Sequence, residues 1–173
     1  MKNKIRTLWI LTVIVTGMFS VAGANDNDAP TVAEQIGGMQ AMCAETAPAR
    51  AQRQAEKPLY DRLGGYDRIH EFTSEVVRLH FENEALDRIM VGINGEALAK
   101  SVADFAASGT GGPQTYKGRD MPAAHAHLHL TDADFLAAGD DIVKAMYTMG
   151  YGEDEISEFV CILVSLKDQV VLK

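Results

Sequence analysis

The helical spacing of apolar residues is the feature that most constrains the fold of this chain. Within residues 66–82, apolar side chains recur every three or four positions, as on the buried face of an amphipathic helix. The same spacing returns after Asn94, a favourable N-cap residue, and again over residues 153–171. Runs of alternating polarity are almost absent, so the sequence predicts an all-α fold.

Shorter helices complete the predicted set. Two are expected over residues 59–63 and 84–90, each followed closely by glycine. Thr131 and Asp134 form an acidic variant of the capping box, which predicts a further helix that begins there and stops at Gly150.

The first 24 residues have the layout of a secretory signal. Three basic residues within the first six positions precede an apolar run at 8–19 and small residues at 21–24. The run is about 12 residues long, whereas roughly 20 are needed to span a bilayer. We expect cleavage after Ala24, export to a compartment such as the periplasm, and no membrane span in the mature chain. An uncleaved anchor is the alternative.

Charge limits the partners of the exported chain. Removing residues 1–24 takes away three positive charges and no negative ones, which moves the net charge from -8 to -11. Phosphate contacts need Lys and Arg, so an acidic chain of this kind is not expected to bind nucleic acid or anionic membranes. The remaining 149 residues fit one compact domain.

The segment at 25–57 is predicted to be a disordered leader with one short helix at 32–43. It is rich in Ala, Gln, Glu and Asp, contains Pro30 and Pro48, and has little apolar patterning. The folded domain is therefore expected over residues 58–173.

The two cysteines leave several states open. Cys43 and Cys161 could pair in an exported protein, but spacing alone cannot show it. Cys161 lies in an apolar helical run, which favours a buried thiol. Cys43 could be free, paired between chains, or modified. No Cys-x-x-Cys-His motif is present, so covalent c-type haem attachment is not supported.

Three of the five histidines lie at the end of the stretch at 111–129, as His125, His127 and His129. On a helix, His125 and His129 would share a face. On a strand all three would share one, but a lone strand in an all-helical domain would have unpaired backbone groups. A zinc or copper site using His125 with His129, or His127 with Asp132, is one hypothesis for this cluster.

Several motifs together resemble the truncated haemoglobins, most closely group I. The residues that carry the resemblance are LYDRLGG at 59–65, GGPQTYKGRDM at 111–121, AH at 124–125 and LHLTDADF at 128–135. They fall in the family's order and at its spacings, and the resemblance covers about two thirds of the chain.

The resemblance implies a shortened globin fold in which two antiparallel helix pairs enclose a b-type haem. The proximal iron ligand would be His125, the histidine of the AH step, with one ring nitrogen on iron and the other hydrogen-bonded. Met121 would face the same side of the haem. Tyr116, Lys117 and Arg119 would lie at the haem edge and meet its propionates.

On the other face of the haem, the resemblance places Val77, Met90, Leu98 and Val102, with Phe105 also on the inner face of its helix. The family often has tyrosine at the position of Val77 and a polar residue at Leu98 or Val102. It almost always has phenylalanine at the position of Met90. Without a phenol or amide to donate a hydrogen bond to dioxygen, faster O2 release and easier autoxidation are expected.

The expected function is reversible binding of O2, CO or NO at a haem iron. One alternative is an enzyme that turns over NO with O2, or peroxide, supplied by an external electron donor, since the chain has no flavin- or nicotinamide-binding glycine motif. Direct iron binding by Met90 or His80 as a sixth ligand is a further alternative.

Overall fold

The helices account for most of the chain in this computed structural model, which describes residues 29–172. The predicted signal at 1–24 lies outside the described residues. Within the described part there is no strand, and the all-α prediction is confirmed. Its α-helices are Val32–Glu56 (α1), Leu59–Arg62 (α2), Gly65–Glu82 (α3), Asp87–Met90 (α4), Gly95–Gly109 (α5), Met121–His125 (α6), Asp132–Thr148 (α7) and Glu153–Val170 (α8).

The main core forms where α3 packs against α5 and α7, and where α7 packs against α8. Phe72 on α3 is 1% exposed and meets the rings of Tyr151 and Phe159 edge-on, with centroids 6.1 and 5.4 Å away. Apolar side chains at the predicted three-and-four spacing are buried: Ile69, Phe72, Val76 and Leu79 on α3, and Ile156 and Phe159 on α8.

The predicted caps begin the helices where the sequence places them. The side chain of Asn94 accepts a hydrogen bond from the amide of Ala97 at 2.9 Å, and α5 begins at the next residue. The Thr131 hydroxyl accepts from the amide of Asp134 at 3.2 Å while the Asp134 carboxylate accepts from the Thr131 amide at 2.7 Å. This reciprocal capping box begins α7.

The leader is more helical than the sequence predicts: the short helix expected at 32–43 is the first part of the 25-residue helix α1, which continues to Glu56. A reciprocal capping box between Thr31 and Glu34 begins it. Only Ile36 and Cys43 are buried along its length. The helix therefore has no continuous buried apolar face that the sequence pattern could indicate. Contacts with residues distant in sequence hold α1 in place.

A disulfide joins Cys43 on α1 to Cys161 on α8, across 118 residues of sequence. The preference for a buried thiol at Cys161 is wrong: both cysteines are buried, at 9% and 7% exposure, but they are paired with each other. The apolar run around Cys161 packs against α1 as well as the core, so burial and pairing occur together.

Polar contacts fix the carboxyl end of α1. Glu158 on α8 is 6% exposed, and its Oε2 atom accepts from Arg53 at 3.4 Å and from Arg62 at 2.7 Å. The Gln54 amide donates to the carbonyl of Thr110 at 3.3 Å. A buried carboxylate shared by two guanidinium groups is compensated. Arg53 thus joins α1 to α8, and Gln54 joins α1 to the end of α5.

None of the helices within residues 29–172 combines the length and the apolar character that crossing a membrane requires.

Candidate functional site

His125 is placed by a short helix whose start is fixed by the sequence. The Asp120 side chain accepts from the amide of Ala123 at 2.8 Å, and Pro122 lies in the first turn, where its missing N–H costs nothing. The helix α6 ends at His125, which is half-buried, and it packs against α8. The histidine is therefore held on a defined turn rather than a free loop.

The imidazole of His125 has a defined orientation. Its Nδ1 atom lies 2.8 Å from the carbonyl oxygen of Met121, one turn earlier. A carbonyl can only accept, so Nδ1 carries the proton in this contact, and in the neutral ring Nε2 is the nitrogen with the lone pair. This is the arrangement of a metal-ligating histidine, in which a second-sphere hydrogen bond fixes the tautomer and the ring plane.

The other two histidines of the cluster do not join His125. The helix gives way to a 3-10 turn at Ala126–Leu128, and His129 adopts a left-handed conformation with φ of 49°. His127 and His129 are exposed. The helical pairing of His125 with His129 is not formed, and no cluster of three or more His, Cys, Asp or Glu within residues 29–172 is placed to hold a metal ion.

Of the four side chains expected on the other face of the haem, the structure brings three together. Val77, Leu86, Met90 and Ala99 form a small buried cluster apart from the main core, and Leu98 packs against it. Val77 and Met90 are 5% and 7% exposed. Val102 is half-buried one turn further along α5. The wall that these side chains form is apolar.

Aromatic packing joins α5 to the loop that precedes α6. The rings of Phe105 and Tyr116 meet edge-on with centroids 5.2 Å apart. The Tyr116 hydroxyl donates to the carbonyl of Arg119 at 3.0 Å, and Arg119 donates to the carbonyl of Ala123 at 3.2 Å. A Cβ atom at Gly118 would collide with the Tyr116 ring, so the tight loop requires glycine there.

Lys117 and Arg119 provide positive charge beside α6. Both are exposed, and neither forms an ion pair with a carboxylate in the described part of the chain. In a chain of net charge -8, most basic side chains of the helices are paired. Two unpaired cations on one loop therefore favour an anionic partner at this edge.

His80 is engaged with α7. Its Nδ1 atom lies 2.9 Å from Oδ2 of Asp141, and Asn83 donates to the same oxygen at 3.0 Å. Asp141 is 8% exposed, so the imidazole and the amide satisfy a buried carboxylate. These contacts give His80 a structural role that the sequence did not indicate, because 61 residues separate it from Asp141.

Arg88 is a second residue that the sequence did not single out. It lies on α4, close to Met90, and contacts Leu128 and Asp134 near the end of the histidine segment. No local pattern marks such a contact, because its partners are at least 40 residues away in sequence.

An all-α chain with one imidazole oriented by its own helix and a separate apolar cluster on α3, α4 and α5 has features of a haem globin. Residues 58–171 match the family model for bacterial-like globins, and the chain belongs to this family. The match begins after α1, so α1 and its half of the disulfide lie outside the family's common region.

Two curated relatives are group 1 truncated hemoglobins. The chain is 23% identical to GlbN of Mycolicibacterium paratuberculosis over 122 residues, covering 70% of this chain and 90% of the relative. It is 25% identical to the protein of Tetrahymena thermophila over 100 residues, covering 58% of this chain and 83% of the relative.

Solved structures with the same fold include the 2/2 hemoglobin of a Synechococcus species, in the cyanomet state and with covalently attached heme. That match has a TM-score of 0.62 and 27% identity, and covers 66% of this chain and 98% of the other. A ferric truncated hemoglobin variant from Tetrahymena pyriformis matches with a TM-score of 0.62 and 19% identity, covering 68% of this chain and all of the other. This second likeness concerns the fold alone.

Proposed function

We propose that this globin holds haem through His125 and binds a diatomic gas reversibly on the apolar side of the pocket. The observation that carries the proposal is the 2.8 Å hydrogen bond from Nδ1 of His125 to the Met121 carbonyl. It leaves Nε2 as a neutral imidazole donor of fixed direction, which is what an axial iron ligand needs.

The residues around His125 fit the rest of a haem group. Leu98, Val102 and Phe105 present half-buried apolar side chains along α5, suited to a flat hydrophobic macrocycle. The unpaired cations Lys117 and Arg119 lie on the loop before α6 and suit two propionates. An apolar wall, a nitrogen ligand and adjacent positive charge form a donor set that matches haem.

The haem is proposed to be haem b, held without a covalent bond to cysteine. Cys43 and Cys161 are paired in a disulfide, which leaves no free thiol among the described residues. The chain also has no Cys-x-x-Cys-His motif. We expect acidified organic solvent to extract the pigment from the protein, and a pigment that stays on the polypeptide contradicts this assignment.

When bound, the haem supplies the iron atom to which the gas attaches. The chain determines how firmly the gas is held. Val77, Met90, Leu98 and Val102 have neither a hydrogen-bond donor of useful strength nor an acid or base. Cleavage of the peroxide O–O bond draws on acid–base groups, which these side chains lack. They suit reversible binding and release of a gas.

Absorption spectra of the haem-reconstituted protein test the proposal. We expect a Soret band in the ferric protein, a ferrous form with one protein ligand, and a reversible shift on adding CO. Full reversal under a stream of argon and light would show that CO leaves the site intact. Protein that stays colourless with excess haemin, or that takes up zinc or copper in its place, contradicts the proposal.

Leu98→Gln is expected to slow O2 dissociation by at least about tenfold. The amide would add the missing donor, and a hydrogen bond to a group that carries partial charge is worth roughly 1.5–3 kcal/mol, where 1.4 kcal/mol is a factor of ten. Leu98 is half-buried at the edge of the Val77 cluster, so glutamine fits without filling the core. Stopped-flow displacement of O2 by CO measures the rate.

Leu98→Met is the matched control, because it keeps a similar volume and adds no N–H donor. Its O2 dissociation rate should stay near that of the unmodified protein, and the CO dissociation rates of both variants should change less than the O2 rate of Leu98→Gln. Equal slowing by glutamine and methionine would assign the effect to packing and contradict a hydrogen bond.

We also propose that the chain works after export, in the periplasm or an equivalent oxidising compartment. The signal-like layout of residues 1–24 supports export, and the Cys43–Cys161 disulfide suits a compartment in which disulfides persist. Protein isolated from the periplasmic fraction should begin at Asn25. Recovery from the cytoplasm with Met1 retained would contradict the proposal.

A further inference from the structure

Arg88 forms hydrogen bonds with residues that lie at least 40 positions away from it in sequence. It lies in the four-residue helix α4, and its Nη1 donates to the carbonyl of Leu128 at 3.1 Å. Its Nη2 donates to Oδ2 of Asp134 at the start of α7. The guanidinium of Arg88 therefore binds both the 3-10 turn that follows α6 and the first turn of α7.

The carboxylate that receives Arg88 is already organised. Oδ2 of Asp134 accepts from the amide of Thr131 at 2.7 Å and from its hydroxyl at 2.8 Å, and Asp134 is 9% exposed. Burial alone would raise the pKa of Asp134, but the hydrogen bonds from Thr131 and the charge of Arg88 lower the pKa below its usual value. Asp134 therefore stays ionised and gives Arg88 a fixed anchor.

The two segments that Arg88 joins carry residues that the proposed function assigns to the two walls of the haem site. Met90 belongs to the same short helix as Arg88 and packs with Val77 in the apolar cluster. Leu128 follows His125 by three residues, at the end of the 3-10 turn that continues from α6. A contact between Arg88 and Leu128 thus ties the wall with Met90 to the wall with His125.

We propose that Arg88, with Leu128 and Asp134, forms a strap that holds these walls together and slows the escape of haem. This inference rests on the proposed function for its ligand, but the strap itself is a contact within the protein. Arg88 is a positioning residue, because its hydrogen bonds go to Leu128 and Asp134 and keep α4 and the segment after α6 in place.

Haem release needs the two walls to part, and parting them breaks the hydrogen bonds of Arg88. The Arg88 side chain is 52% exposed, so water replaces part of what is lost and the effect is limited. The helix α4 has only four residues and is otherwise held by the packing of Met90 in the apolar cluster, so the hydrogen bonds of Arg88 are a large share of its contacts with the segment after α6. We expect haem loss to become about tenfold faster without the strap.

Arg88→Gln and Arg88→Lys test this, with Arg78→Gln as the matched control. Arg78 also pairs with carboxylates, but its partners Glu75 and Glu82 lie on its own helix α3. Transfer of haem from the ferric protein to excess apomyoglobin gives the rate. We expect Arg88→Gln to lose haem about tenfold faster, Arg88→Lys to fall between, and Arg78→Gln to match the unmodified protein, all with unchanged Soret bands.

Amide hydrogen exchange on the haem-free protein gives a second readout that needs no cofactor. Arg88→Gln should speed exchange at residues 88–91 and 126–130 together, while Arg78→Gln leaves both segments unchanged. If the unmodified protein took up no haem, the proposed function would fail and this exchange would still decide the strap. Unchanged haem loss in Arg88→Gln, or faster exchange in only one of the two segments, overturns the inference.

Discussion

Replacing His125 by glycine is expected to abolish stable haem binding. The imidazole is the iron ligand that we propose, and its hydrogen bond to the Met121 carbonyl orients it. Loss of a second-sphere partner typically lowers metal affinity about 10–100-fold, and loss of the ligand itself should exceed that. Titration of the apo-protein with haemin, followed at the Soret band, measures the change.

Added imidazole should restore the Soret band of His125→Gly, because glycine leaves space for a free imidazole where the side chain stood. His127→Gly is the control, because it makes the same substitution at an exposed histidine two residues away. That variant should bind haem like the unmodified protein. Equal haem affinity in His125→Gly and the unmodified protein would move the ligand role to another residue.

The helices were predictable because their signals are local. In α3, apolar residues every three or four positions fix which face is buried, and no distant residue is needed to find it. Asn94 and the Thr131–Asp134 capping box mark helix starts through contacts that span three residues. Where both kinds of signal are present, the predicted helix boundaries differ from those of the structure by only a residue or two.

The helix α1 lacks the regular spacing of buried apolar residues. Ile36 and Cys43 are its only buried side chains, so its composition looked like that of a solvated segment. Its stability comes from partners far away in sequence: the disulfide-bonded Cys161, the Glu158 carboxylate and the Thr110 carbonyl. Contacts of this kind depend on the assembled fold, which is why the sequence predicted only the first part of this helix and left the pairing of the cysteines open.

The same distinction applies to the candidate site. His125 was separated from His127 and His129 by the resemblance to truncated haemoglobins, and the structure adds the physical reason, since α6 ends at His125 and the chain then turns. The roles of Arg88 and Asp141 emerge only when helices distant in sequence pack together. Local pattern identifies which residues could bind, and packing determines how firmly they are held.

Removing the disulfide is expected to lower the free energy of unfolding by about 2–5 kcal/mol. The bond closes a long loop, with 118 residues between Cys43 and Cys161, so its loss releases a large constraint on the unfolded chain. Cys43→Ala with Cys161→Ala removes the bond without creating a free thiol or burying a hydroxyl. Guanidinium unfolding of this double variant, beside the unmodified protein, measures the difference.

Amide exchange shows which part of α1 is loosened when the disulfide is removed, which the free energy of unfolding cannot show. Without the disulfide, the amino-terminal half of α1 keeps only Ile36 as a buried apolar contact, while Arg53 near its carboxyl end still pairs with Glu158 and Asp154. Amide exchange should therefore accelerate at residues 32–43 more than at 53–56. The haem Soret band should persist, because neither cysteine is among the residues proposed to hold the haem. If the unfolding midpoint and the exchange of α1 both stayed unchanged, the polar contacts of Glu158 would have to hold the whole helix, and the disulfide would be dispensable for the folded state.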